Sequence, residues 1–571
     1  MRWVEHVAGS GVAGKAIAEQ DGDVRVSVRA GVAGVVAAAV AVGVAEVVAV
    51  ATGPLSAPLL AVGGVVVDQV PGPVKDFGIQ VFGVHDKTAL ITGTAILLAA
   101  YAYGVGVVAL RSWRLALGGI ALFAAIGVAA AMTRHDAGAF AWLPTVVGAG
   151  LAVWVLRYLL RLAGLPPAPA PVPAGAATLA TVGAGGSATT AVRPAAADGP
   201  DHDGPGSPRP GSGHVAYEEG SRRRFLKAVG ILGGVAVVSG FAGRWLTARR
   251  AVTEARDHVV LPAPQQTPPP LPADVQAPGA VSFVTSNRDF YRIDTALYPP
   301  QVDPSTWELR IHGMVRNPIT ITWEQLLKRP MIERYVTLAC VSNEVGGNLI
   351  SNALWLGTPI KALLDEADPL PGADQVVQRA VDGWTCGSPT AALRDGRDAL
   401  LAIGMNGQPL PINHGFPVRM VVPGLYGYVS ACKWITEIEL TRFSDFDAYW
   451  VPRGWSQQGS IKTESRIDTP RDGASRQAGT VTVAGVAWAQ HRGISKVEVQ
   501  VDDGAWEPAT LHAIPSSDTW REWSFAWQAT PGTHRIRVRA TDRDGQTQTS
   551  TPAPPAPDGA SGWHSVEVRV S

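Results

Sequence analysis

Four long runs of apolar residues near the amino terminus most constrain how this chain can fold. They extend from Ala30 to Thr52, from Thr88 to Leu110, from Leu115 to Thr133 and from Ala139 to Leu162. Each is close to the ~20 residues that an α-helix needs to cross the hydrocarbon core of a bilayer. A fifth run, Phe225 to Leu246, follows after a long gap. The pattern predicts a four-helix membrane domain over residues 1–163 and a fifth transmembrane helix over 221–250.

The basic residues at the ends of these runs predict their orientation. Arg25 and Arg29 precede the first run, Arg111 and Arg114 separate the second from the third, and Arg157 and Arg161 end the fourth. All three clusters fall on one side of the membrane, and an excess of arginine marks the cytoplasmic side. The segment 164–220 is therefore expected in the cytoplasm. Because it is rich in Pro, Ala and Gly, it is expected to be a disordered linker.

The fifth run carries a basic flank with two interpretations. The flank reads Ser221-Arg222-Arg223-Arg224-Phe225-Leu226-Lys227, which resembles the twin-arginine export motif. The alternative is an ordinary cytoplasmic flank that needs only the arginines. Both interpretations place everything after residue 250 outside the cytoplasm. We therefore expect a multi-pass protein of the cell membrane, with its soluble part on the extracytoplasmic side.

The distribution of charge agrees with a membrane half joined to a soluble half. The whole chain has 48 basic and 48 acidic residues, so its balance suggests no nucleic-acid partner. Charges are sparse before about residue 165 and common after residue 250. The three histidines before the linker are His6, His85 and His135, and the last two lie at helix ends. These positions do not suit the facing axial ligands of a transmembrane haem. Anchoring is therefore the expected role of this half, and membrane lipid is its expected partner.

The soluble half is predicted to contain an α+β domain over 281–455, after a proline-rich tether over 251–280. Strands are expected at Trp307–Gly313, at Tyr335–Ala339 and at Gln375–Val381, with short helices through Leu327 and over Pro359–Glu366. The segment 456–571 has a different pattern, in which apolar and polar residues alternate. Its alternating runs, such as Thr480–Trp488 and Lys496–Val501, and the Asp503-Gly504 turn predict a β-sandwich.

Cys340 follows the short apolar strand that ends at Ala339, and a glycine-containing loop comes next. With three cysteines in the chain, a disulfide framework does not explain this one. One interpretation is a small buried hydrophobic side chain. The other is a thiolate that ligates a soft transition metal from the edge of a cavity. This segment by itself leaves both interpretations open.

A second segment suggests a site for an anion. It contains His414-Gly415-Phe416-Pro417-Val418-Arg419 and, further on, Lys433-Trp434. Prolines and glycines make this backbone rigid, while the histidine, arginine and lysine offer hydrogen-bond donors. Such a loop suits a phosphate group. The alternative is a stiff surface loop whose charges are solvated.

Taken together, the cysteine after its strand, the run Asn406-Gly407-Gln408-Pro409-Leu410-Pro411, the His414–Arg419 segment and Lys433-Trp434 resemble the sulfite oxidase family of molybdopterin enzymes. The resemblance covers about Ser282 to Ser571. It implies a multi-domain protein with an α-helical membrane domain, an α+β molybdopterin-binding domain and an immunoglobulin-like β-sandwich of the family's dimerisation type, so a homodimer is a further expectation. It also implies a Mo-molybdopterin cofactor whose metal is bound by Cys340.

The resemblance assigns the remaining site residues by position. It implies that the pterin and its phosphate are held by His414, Arg419, Ala431, Cys432 and Lys433, with Asp382 at the pterin edge. It implies that Asn287, Tyr291 and Arg292 close the pocket. Arg492 matches, within one residue, the arginine that the β-domain lends to the catalytic pocket in sulfite oxidases. A solvated turn arginine is the alternative for that residue.

Two departures from the family pattern bear on the substrate. Sulfite oxidases follow the cysteine with Ala-Gly-Asn-Arg-Arg, whereas this chain continues Val341-Ser342-Asn343-Glu344-Val345. The substrate-contacting tyrosine is expected near Trp384–Gly387, where this chain has none. The resemblance implies an oxidoreductase that transfers an oxygen atom to or from a small sulfur or nitrogen compound. A methionine sulfoxide-type S-oxide reductase and a non-catalytic tethered relative are the alternatives. Since no Cys-x-x-Cys-His motif occurs, the electron partner is expected to be a separate cytochrome or quinone-linked carrier.

Overall fold

The computed structural model describes residues 8–53, 56–69, 86–133, 138–165, 212–249, 252–296 and 298–571. The chain divides into two compact units. The first holds the apolar helices up to Leu246, and the second consists mainly of Thr247–Ser571.

The helical unit contains the elements expected from the apolar runs. Its helices are α1 (Ala8–Thr52), α2 (Pro58–Gln69), α3 (Asp86–Arg111), α4 (Trp113–Met132), α5 (Leu143–Leu162) and α6 (Ser212–Arg249). Within the described residues, five helical stretches are long and apolar enough to cross a membrane: Val24–Thr52, Ala89–Arg111, Trp113–Met132, Leu143–Leu162 and Arg222–Gly243. They coincide with the five runs found in the sequence. The α-helical character of this half is thus confirmed.

Two boundaries differ from the sequence-based expectation. Helix α1 begins at Ala8 and includes Arg25 and Arg29, which the sequence placed before the first helix. Helix α6 begins at Ser212, so the end of the predicted 164–220 linker is helical. The rest of that linker, residues 166–211, lies outside the described residues. The twin-arginine-like flank is therefore part of a continuous helix, in which Arg222, Arg223 and Arg224 are exposed and Phe225 is buried.

Small residues let α1 and α3 pack closely. A Cβ atom on Gly34 would lie 2.1 Å from the carbonyl oxygen of Ala102, and one on Gly106 would lie 2.1 Å from that of Ala30. Both are well inside van der Waals contact, so the two backbones touch at this crossing. Without a hydrophobic driving force between helices in lipid, such close packing is a main source of helix association.

The second unit begins with an α+β domain built on one mixed sheet and one antiparallel sheet. The first has the strand order β2-β1-β10-β5-β6, and the second has β3-β4-β7-β8 with β9 also paired to β7. The strands are β1 (Glu308–Gly313), β2 (Ile319–Thr322), β3 (Ile332–Ala339), β4 (Ile350–Pro359), β5 (Gln375–Ala380), β6 (Thr385–Pro389), β7 (Leu400–Met405), β8 (Gln408–Pro409), β9 (Arg419–Val421) and β10 (Ile435–Thr441). Short helices connect them: α7 (Val252–Asp257) before the sheets, then α8 (Trp323–Leu327), α9 (Ile360–Ala367), α10 (Thr390–Arg394) and α11 (Gly427–Ser430).

Pairing across the second sheet positions the residues of the later site. Strand β3 runs antiparallel to β4, with Ala339 opposite Ile350. Strand β7 pairs with β9, with Ala402 opposite Arg419. The residues that follow β3 and begin β9 are thereby carried by one sheet. The buried Trp355 of β4 packs edge-on to Phe290 at 5.5 Å and fills the space between this sheet and the segment that precedes β1.

The C-terminal domain is the predicted β-sandwich. One sheet has the order β11-β13-β17-β16 and the other β12-β19-β18-β14-β15. The strands are β11 (Glu464–Thr469), β12 (Ala474–Arg476), β13 (Gly479–Trp488), β14 (Ile494–Val501), β15 (Glu507–Pro508), β16 (Thr510–Leu511), β17 (Arg521–Ala529), β18 (Gly532–Asp542) and β19 (His564–Val570). Alternate residues such as Val497, Val499, Ile536 and Val538 form a core between the two sheets. The sandwich starts at Glu464, eight residues after the boundary predicted at 456.

The proline-rich segment 251–280 is packed on the second unit and is not a free tether. The guanidinium of Arg256 donates hydrogen bonds to the carbonyl oxygens of Pro409 and Leu410, both at 2.8 Å. Further along, Ala277 is buried, and its amide donates to a carboxylate oxygen of Glu522 on β17 at 2.5 Å. A second donor to the same oxygen is the side chain of Gln276 at 3.0 Å. The prolines account for the extended conformation of this segment. The long-range contacts hold the segment against the rest of the second unit.

Glu522 gives this docking a dependence on pH. The side chain is fully buried, and burial raises its pKa to about 7, from an ordinary value of 4.5. For an acid with a raised pKa, stability is lost as the pH rises from the unfolded pKa to the folded one. Glu522→Gln carries no charge at any pH. We therefore expect the stability of this variant relative to wild type to improve by up to ~3 kcal/mol between pH 4.5 and pH 8. Urea unfolding of the soluble unit across this pH range measures the difference, and a constant difference would contradict the prediction.

Candidate active site

Cys340 lies directly after β3, at the point where the backbone turns. Its amide donates to the carbonyl oxygen of Leu349 at 2.9 Å, and its carbonyl accepts from the amide of Asn343 at 3.1 Å. These bonds close the loop 341–349 on the end of the strand. The cysteine is 9% exposed, so its sulfur is enclosed but not sealed.

The surroundings of the Cys340 sulfur include groups that stabilise a thiolate. Burial raises the pKa of the thiol and is the largest effect. Hydrogen bonds from the backbone amide and the hydroxyl of Ser342, and the positive charge of Lys433, act in the opposite direction and lower this pKa. The thiol is thus protonated when nothing is bound to it. A metal ion at the sulfur would add the charge that the thiolate form requires.

Tyr291 approaches the same place from the segment before β1. Its backbone amide donates to the hydroxyl of Ser351 at 3.1 Å, and its ring stacks on Phe290 at 5.4 Å. A Cβ atom on Gly427 would lie 3.8 Å from both the Tyr291 hydroxyl and the carbonyl oxygen of Ala339. The phenol therefore reaches the end of β3. Burial and the nearby Cys340 raise its pKa, so the hydroxyl keeps its proton.

Arg419 begins β9 and is buried with 5% of its surface exposed. Its Nη1 donates to the carbonyl oxygen of His414 at 3.1 Å, and its guanidinium lies over the ring of Trp355 at 5.0 Å. Burial lowers its pKa to about 10, so the group is charged at neutral pH. None of the carboxylates in the described residues pairs with it. A buried cation in this situation favours an anionic ligand.

Lys433 and Arg292 share one carboxylate, that of Asp294. The Nζ of Lys433 lies 2.9 Å from Oδ2 of Asp294 and donates to the carbonyl oxygen of Ile293 at 3.0 Å. The Nε of Arg292 lies 2.9 Å from the same Oδ2. Burial lowers the pKa of Lys433 to about 8, and Asp294 acts against this lowering. Sequence reasoning missed Asp294. This residue lies outside the sequence motifs that indicated the site and is identified by the fold alone.

His414 is held as a neutral ring. Burial, together with the charges of Arg419 and Lys433, lowers its pKa to about 4. Its Nε2 lies 3.1 Å from the carbonyl oxygen of Asn287, which can only accept, so Nε2 carries the proton and Nδ1 remains an acceptor. The side chain of Asn287 bonds within the protein, donating to the carbonyl oxygen of Met405 at 3.2 Å and accepting from Asn406 at 2.8 Å. Asn287 thus orients the histidine through its backbone.

The turn after α11 carries the remaining predicted cofactor residues. Ala431 and Cys432 are buried, and the Cys432 amide donates to the side chain of Gln378 at 3.4 Å. Burial raises the pKa of the Cys432 thiol well above its usual value, with Cys386 and Asp382 adding to the rise. Asp382 accepts a hydrogen bond from the amide of Trp384 at 3.1 Å. These groups lie together at the ends of β5, β6 and β9.

Arg492 is engaged within the β-sandwich domain. Its Nε lies 3.0 Å from Oδ2 of Asp542, and its Nη2 donates to the carbonyl oxygen of Ile461 at 2.9 Å and to the hydroxyl of Thr463 at 3.1 Å. These bonds fasten the chain that enters β11 to the end of β18. The predicted role of Arg492 in the catalytic pocket stays a prediction.

The residues around Cys340 fit an anionic, metal-carrying cofactor. Three cations, Arg292, Arg419 and Lys433, converge, and among the described residues the carboxylate that pairs with them is that of Asp294. The Nδ2 group of Asn343, three residues after the cysteine, is a buried donor without a partner among the described residues. The described residues include no cluster of three His, Cys, Asp or Glu side chains that could hold a metal ion. A metal at Cys340 therefore needs further ligands from a cofactor, as the pterin dithiolene supplies.

Comparison with known proteins agrees with this geometry. Residues 296–450 match the family described as the oxidoreductase molybdopterin binding domain, and residues 464–538 match the bacterial Ig domain. An uncharacterized oxidoreductase of Bacillus subtilis, YuiH, is 30% identical over 167 residues, which are 29% of this chain and 81% of that protein. The mouse mitochondrial sulfite oxidase is 29% identical over 340 residues, which are 50% of this chain. The chain belongs to the sulfite oxidase family of molybdopterin-dependent oxidoreductases.

The similarity covers about half of this chain and part of each relative. The chain spans 62% of the length of the mouse and human sulfite oxidases. Among solved structures, the sulfane dehydrogenase SoxCD from Paracoccus pantotrophus aligns with a TM-score of 0.42 and 22% identity, over 47% of this chain and 75% of that chain. Membership of this family implies a molybdopterin cofactor, and the C-terminal domain is immunoglobulin-like.

The part of the family pocket that differs most is the loop after Cys340. Val341 and Asn343 are buried, whereas Glu344 is exposed. Arg466 of β11 donates to the carbonyl oxygen of Gly347 at 2.8 Å, so a cation contacts this loop directly. Its Nε pairs with Asp468 at 2.7 Å, which offsets its charge. The loop thus lacks the adjacent arginines that follow the cysteine in sulfite oxidases.

Proposed function

We propose that this protein is a membrane-anchored, extracytoplasmic molybdopterin oxidoreductase that transfers an oxygen atom to or from a small sulfur or nitrogen compound. The single observation that carries the proposal is the convergence of Tyr291, Arg419 and Lys433 around the Cys340 sulfur. These residues come from three distant parts of the sequence, since Arg419 and Lys433 belong to neighbouring segments. Their common ligand has to be anionic and has to bear a metal that accepts sulfur.

In this proposal, each residue has a role set by its charge and position. Cys340 provides the protein ligand to molybdenum, and the bound cofactor supplies two-electron redox chemistry and oxygen-atom transfer. Arg419, Lys433 and Arg292 neutralise the pterin phosphate. His414 offers Nδ1 as an acceptor because its Nε2 is used by Asn287. Tyr291 keeps its proton and donates a hydrogen bond into the pocket.

The cellular location is inferred from the helical half. The five helices that can cross a membrane serve as an anchor. The arginines at their ends put the segment between α5 and α6 in the cytoplasm. Helix α6 then carries the chain across, so that the catalytic unit lies on the extracytoplasmic side. Its twin-arginine-like flank supports export after folding, which suits a cofactor inserted in the cytoplasm. Electrons pass to or from a separate cytochrome or quinone-linked carrier.

A second candidate function is reduction of an S-oxide of the methionine sulfoxide type. The observation that favours it is the loop after Cys340, where Glu344 stands in place of an arginine and Arg466 is already paired with Asp468. A pocket with little free positive charge suits an uncharged S-oxide better than the sulfite dianion. The non-catalytic alternative finds no such support.

Elemental analysis of the exported soluble unit tests the proposed function. The protein is produced in cells that synthesise molybdopterin, and molybdenum and pterin are measured in the purified material. We expect about one molybdenum per chain, since one thiolate binds one metal. Absence of molybdenum in correctly folded protein would refute the enzyme and support the non-catalytic relative.

Two assays then separate the candidate reactions. One follows sulfite oxidation with an artificial electron acceptor, and the other follows S-oxide reduction with a reduced dye as donor. Because the loop after Cys340 lacks the family's adjacent arginines, we expect the ratio kcat/KM to favour the S-oxide over sulfite by at least ~10-fold, the factor that corresponds to one lost charge contact. A preference for sulfite would reject the second candidate.

A further inference from the structure

Glu464 is a buried carboxyl group for which the site described above has no use. It is the first residue of β11 and is 5% exposed. Its Oε1 is buried and has no hydrogen-bond partner among the described residues. Burial of an unpaired carboxylate is costly, so such a group is rare unless it carries a proton or has a function.

Glu464 lies two residues before Arg466, whose side chain contacts the loop that begins at Cys340. Residues two apart on a strand lie on the same face, so Glu464 shares its face with Arg466. Arg466 donates to the carbonyl oxygen of Gly347, inside the loop 341–349. The pairing of Glu464 with Trp488 and of Arg466 with Val486 is regular, which preserves this alternation.

Tyr426 connects Glu464 with the cysteine. It is 3% exposed, and both Glu464 and Cys340 are close enough to raise the pKa of its phenol, after burial as the main cause. Its hydroxyl accepts from the amide of Lys462 at 3.4 Å. A Cβ atom on Gly559 would lie 2.6 Å from this hydroxyl, so the ring is held from that side. Among the described residues none accepts the proton of the hydroxyl.

We propose that Glu464 is the proton-exchanging group of the catalytic site and that the hydroxyl of Tyr426 connects it with the pocket at Cys340. This inference rests on the proposed function and names a residue that it leaves unassigned. Glu464 acts on protons of the reacting water through Tyr426, so it is a positioning and proton-transfer residue outside the metal's own ligands.

The reaction requires such a group in either direction. Oxidation of a compound X with water gives XO, two protons and two electrons, and the electrons leave one at a time to the separate carrier protein. One of the two protons passes to the Glu464 carboxylate, and the other goes to solvent. In the opposite direction, XO takes up two protons and two electrons and yields X and water, with one proton given by the Glu464 carboxyl.

The electrostatic surroundings of Glu464 suit this exchange. Burial raises its pKa to about 8, and Lys462 acts against this rise. Lys462 is itself held by Asp558 at 2.9 Å and by the carbonyl oxygen of Gly559 at 2.6 Å, so its charge is shared with another carboxylate. A group with a pKa near the working pH both gives and takes a proton readily.

A titration that does not depend on activity tests the buried carboxyl first. The infrared C=O band of protonated carboxyl groups is followed against pH in the purified full-length protein, with and without cofactor. We expect a component that disappears as the pH rises through about 8. Glu464→Gln is expected to lack this component. Glu522→Gln, which removes another buried carboxyl on a different strand, is expected to keep it.

The pH profile of turnover in the loaded enzyme tests the role. For wild type we expect the rate of reduction to fall as the pH rises above about 8, and the rate of oxidation to fall as it drops below. Glu464→Gln is expected to abolish this change of rate near pH 8, which we call the pH-dependent limb. It is also expected to reduce kcat by about 100-fold with KM unchanged. Tyr426→Phe is expected to have the same effect on the limb. Glu522→Gln is expected to retain it.

The outcomes separate this inference from the proposed function. The role of Glu464 would be overturned under two conditions together. The loaded wild-type enzyme turns over, and its Glu464→Gln or Tyr426→Phe variant keeps the wild-type rate and the pH-dependent limb. An infrared component near pH 8 that survives in Glu464→Gln would overturn it as well. Absence of molybdenum and of turnover in wild type would instead refute the proposed function, while the titration of Glu464 remains a separate result.

Discussion

Replacing Cys340 by serine is expected to abolish turnover while the protein stays folded. The change substitutes oxygen for sulfur with little change of volume, so the packing at the end of β3 survives. A serine hydroxyl, however, does not ionise near neutral pH and is a poor ligand for a soft metal. We expect kcat to fall by at least ~1,000-fold, as for the loss of an essential catalytic group. Turnover, molybdenum content and thermal unfolding are measured on the same preparation.

The matched control for this variant is Cys386→Ser. Cys386 is another fully buried cysteine in the same domain, where it belongs to the hydrophobic core. Its replacement imposes the same exchange of sulfur for oxygen without touching the proposed metal ligand. We expect a modest loss of stability, about 1–3 kcal/mol for an added buried hydroxyl, and turnover within a few-fold of wild type. Equal activities of the Cys340→Ser and wild-type enzymes would refute the ligand assignment.

Replacing Arg419 by methionine is expected to release the cofactor without unfolding the protein. The guanidinium is a buried cation that has hydrogen bonds to carbonyl oxygens and a ring contact with Trp355. Methionine keeps much of the volume and can contact the same ring. Because removing an unpaired buried charge relieves its desolvation penalty, the cofactor-free variant is expected to be at least as stable as cofactor-free wild type.

Cofactor retention is expected to change in the opposite direction. Charge-assisted hydrogen bonds are worth about 1.5–3 kcal/mol each, so two of them correspond to a loss of at least ~100-fold in affinity. The measurement is the molybdopterin content after gel filtration, together with thermal unfolding of the emptied protein. Arg379→Met is the control, since Arg379 is a partly exposed arginine paired with Glu437 and Glu439. Full cofactor content in Arg419→Met would contradict the assignment of Arg419 to the phosphate.

Much of the site was predictable because its residues occur in compact motifs. His414 and Arg419 are five positions apart in a rigid proline-containing segment. In the structure, the guanidinium of Arg419 donates a hydrogen bond to the backbone carbonyl oxygen of His414. Cys340 was recognisable as the residue that follows a buried strand. The predictions for Tyr291, Arg292 and Lys433 depended on the family resemblance, and the structure brings these three side chains to the same pocket as Cys340.

Other residues became visible only through contacts between distant segments. Asp294 has no motif around it and is identified by the two cations that share its carboxylate. Glu464 begins the polar strand β11, whose first four residues are all buried, and a glutamate at such a position would be expected to face solvent. Arg492 had two interpretations from sequence, and the structure adds its bonds to Asp542, Thr463 and the Ile461 carbonyl. In each case the environment of a charged side chain depends on what packs against it.

The sequence by itself determined the division into an apolar helical half and a charged soluble half, because hydrophobicity and its period are local properties. It also predicted the strands β1, β3 and β5 and the cysteine that follows β3. Only the tertiary structure decided that residues 252–280 dock on the catalytic unit, that Asp294 joins Lys433 to Arg292, and that Glu464 is buried beside Tyr426. The physical reason is that burial and ion pairing are set by residues far apart in the chain, whose meeting no local pattern records.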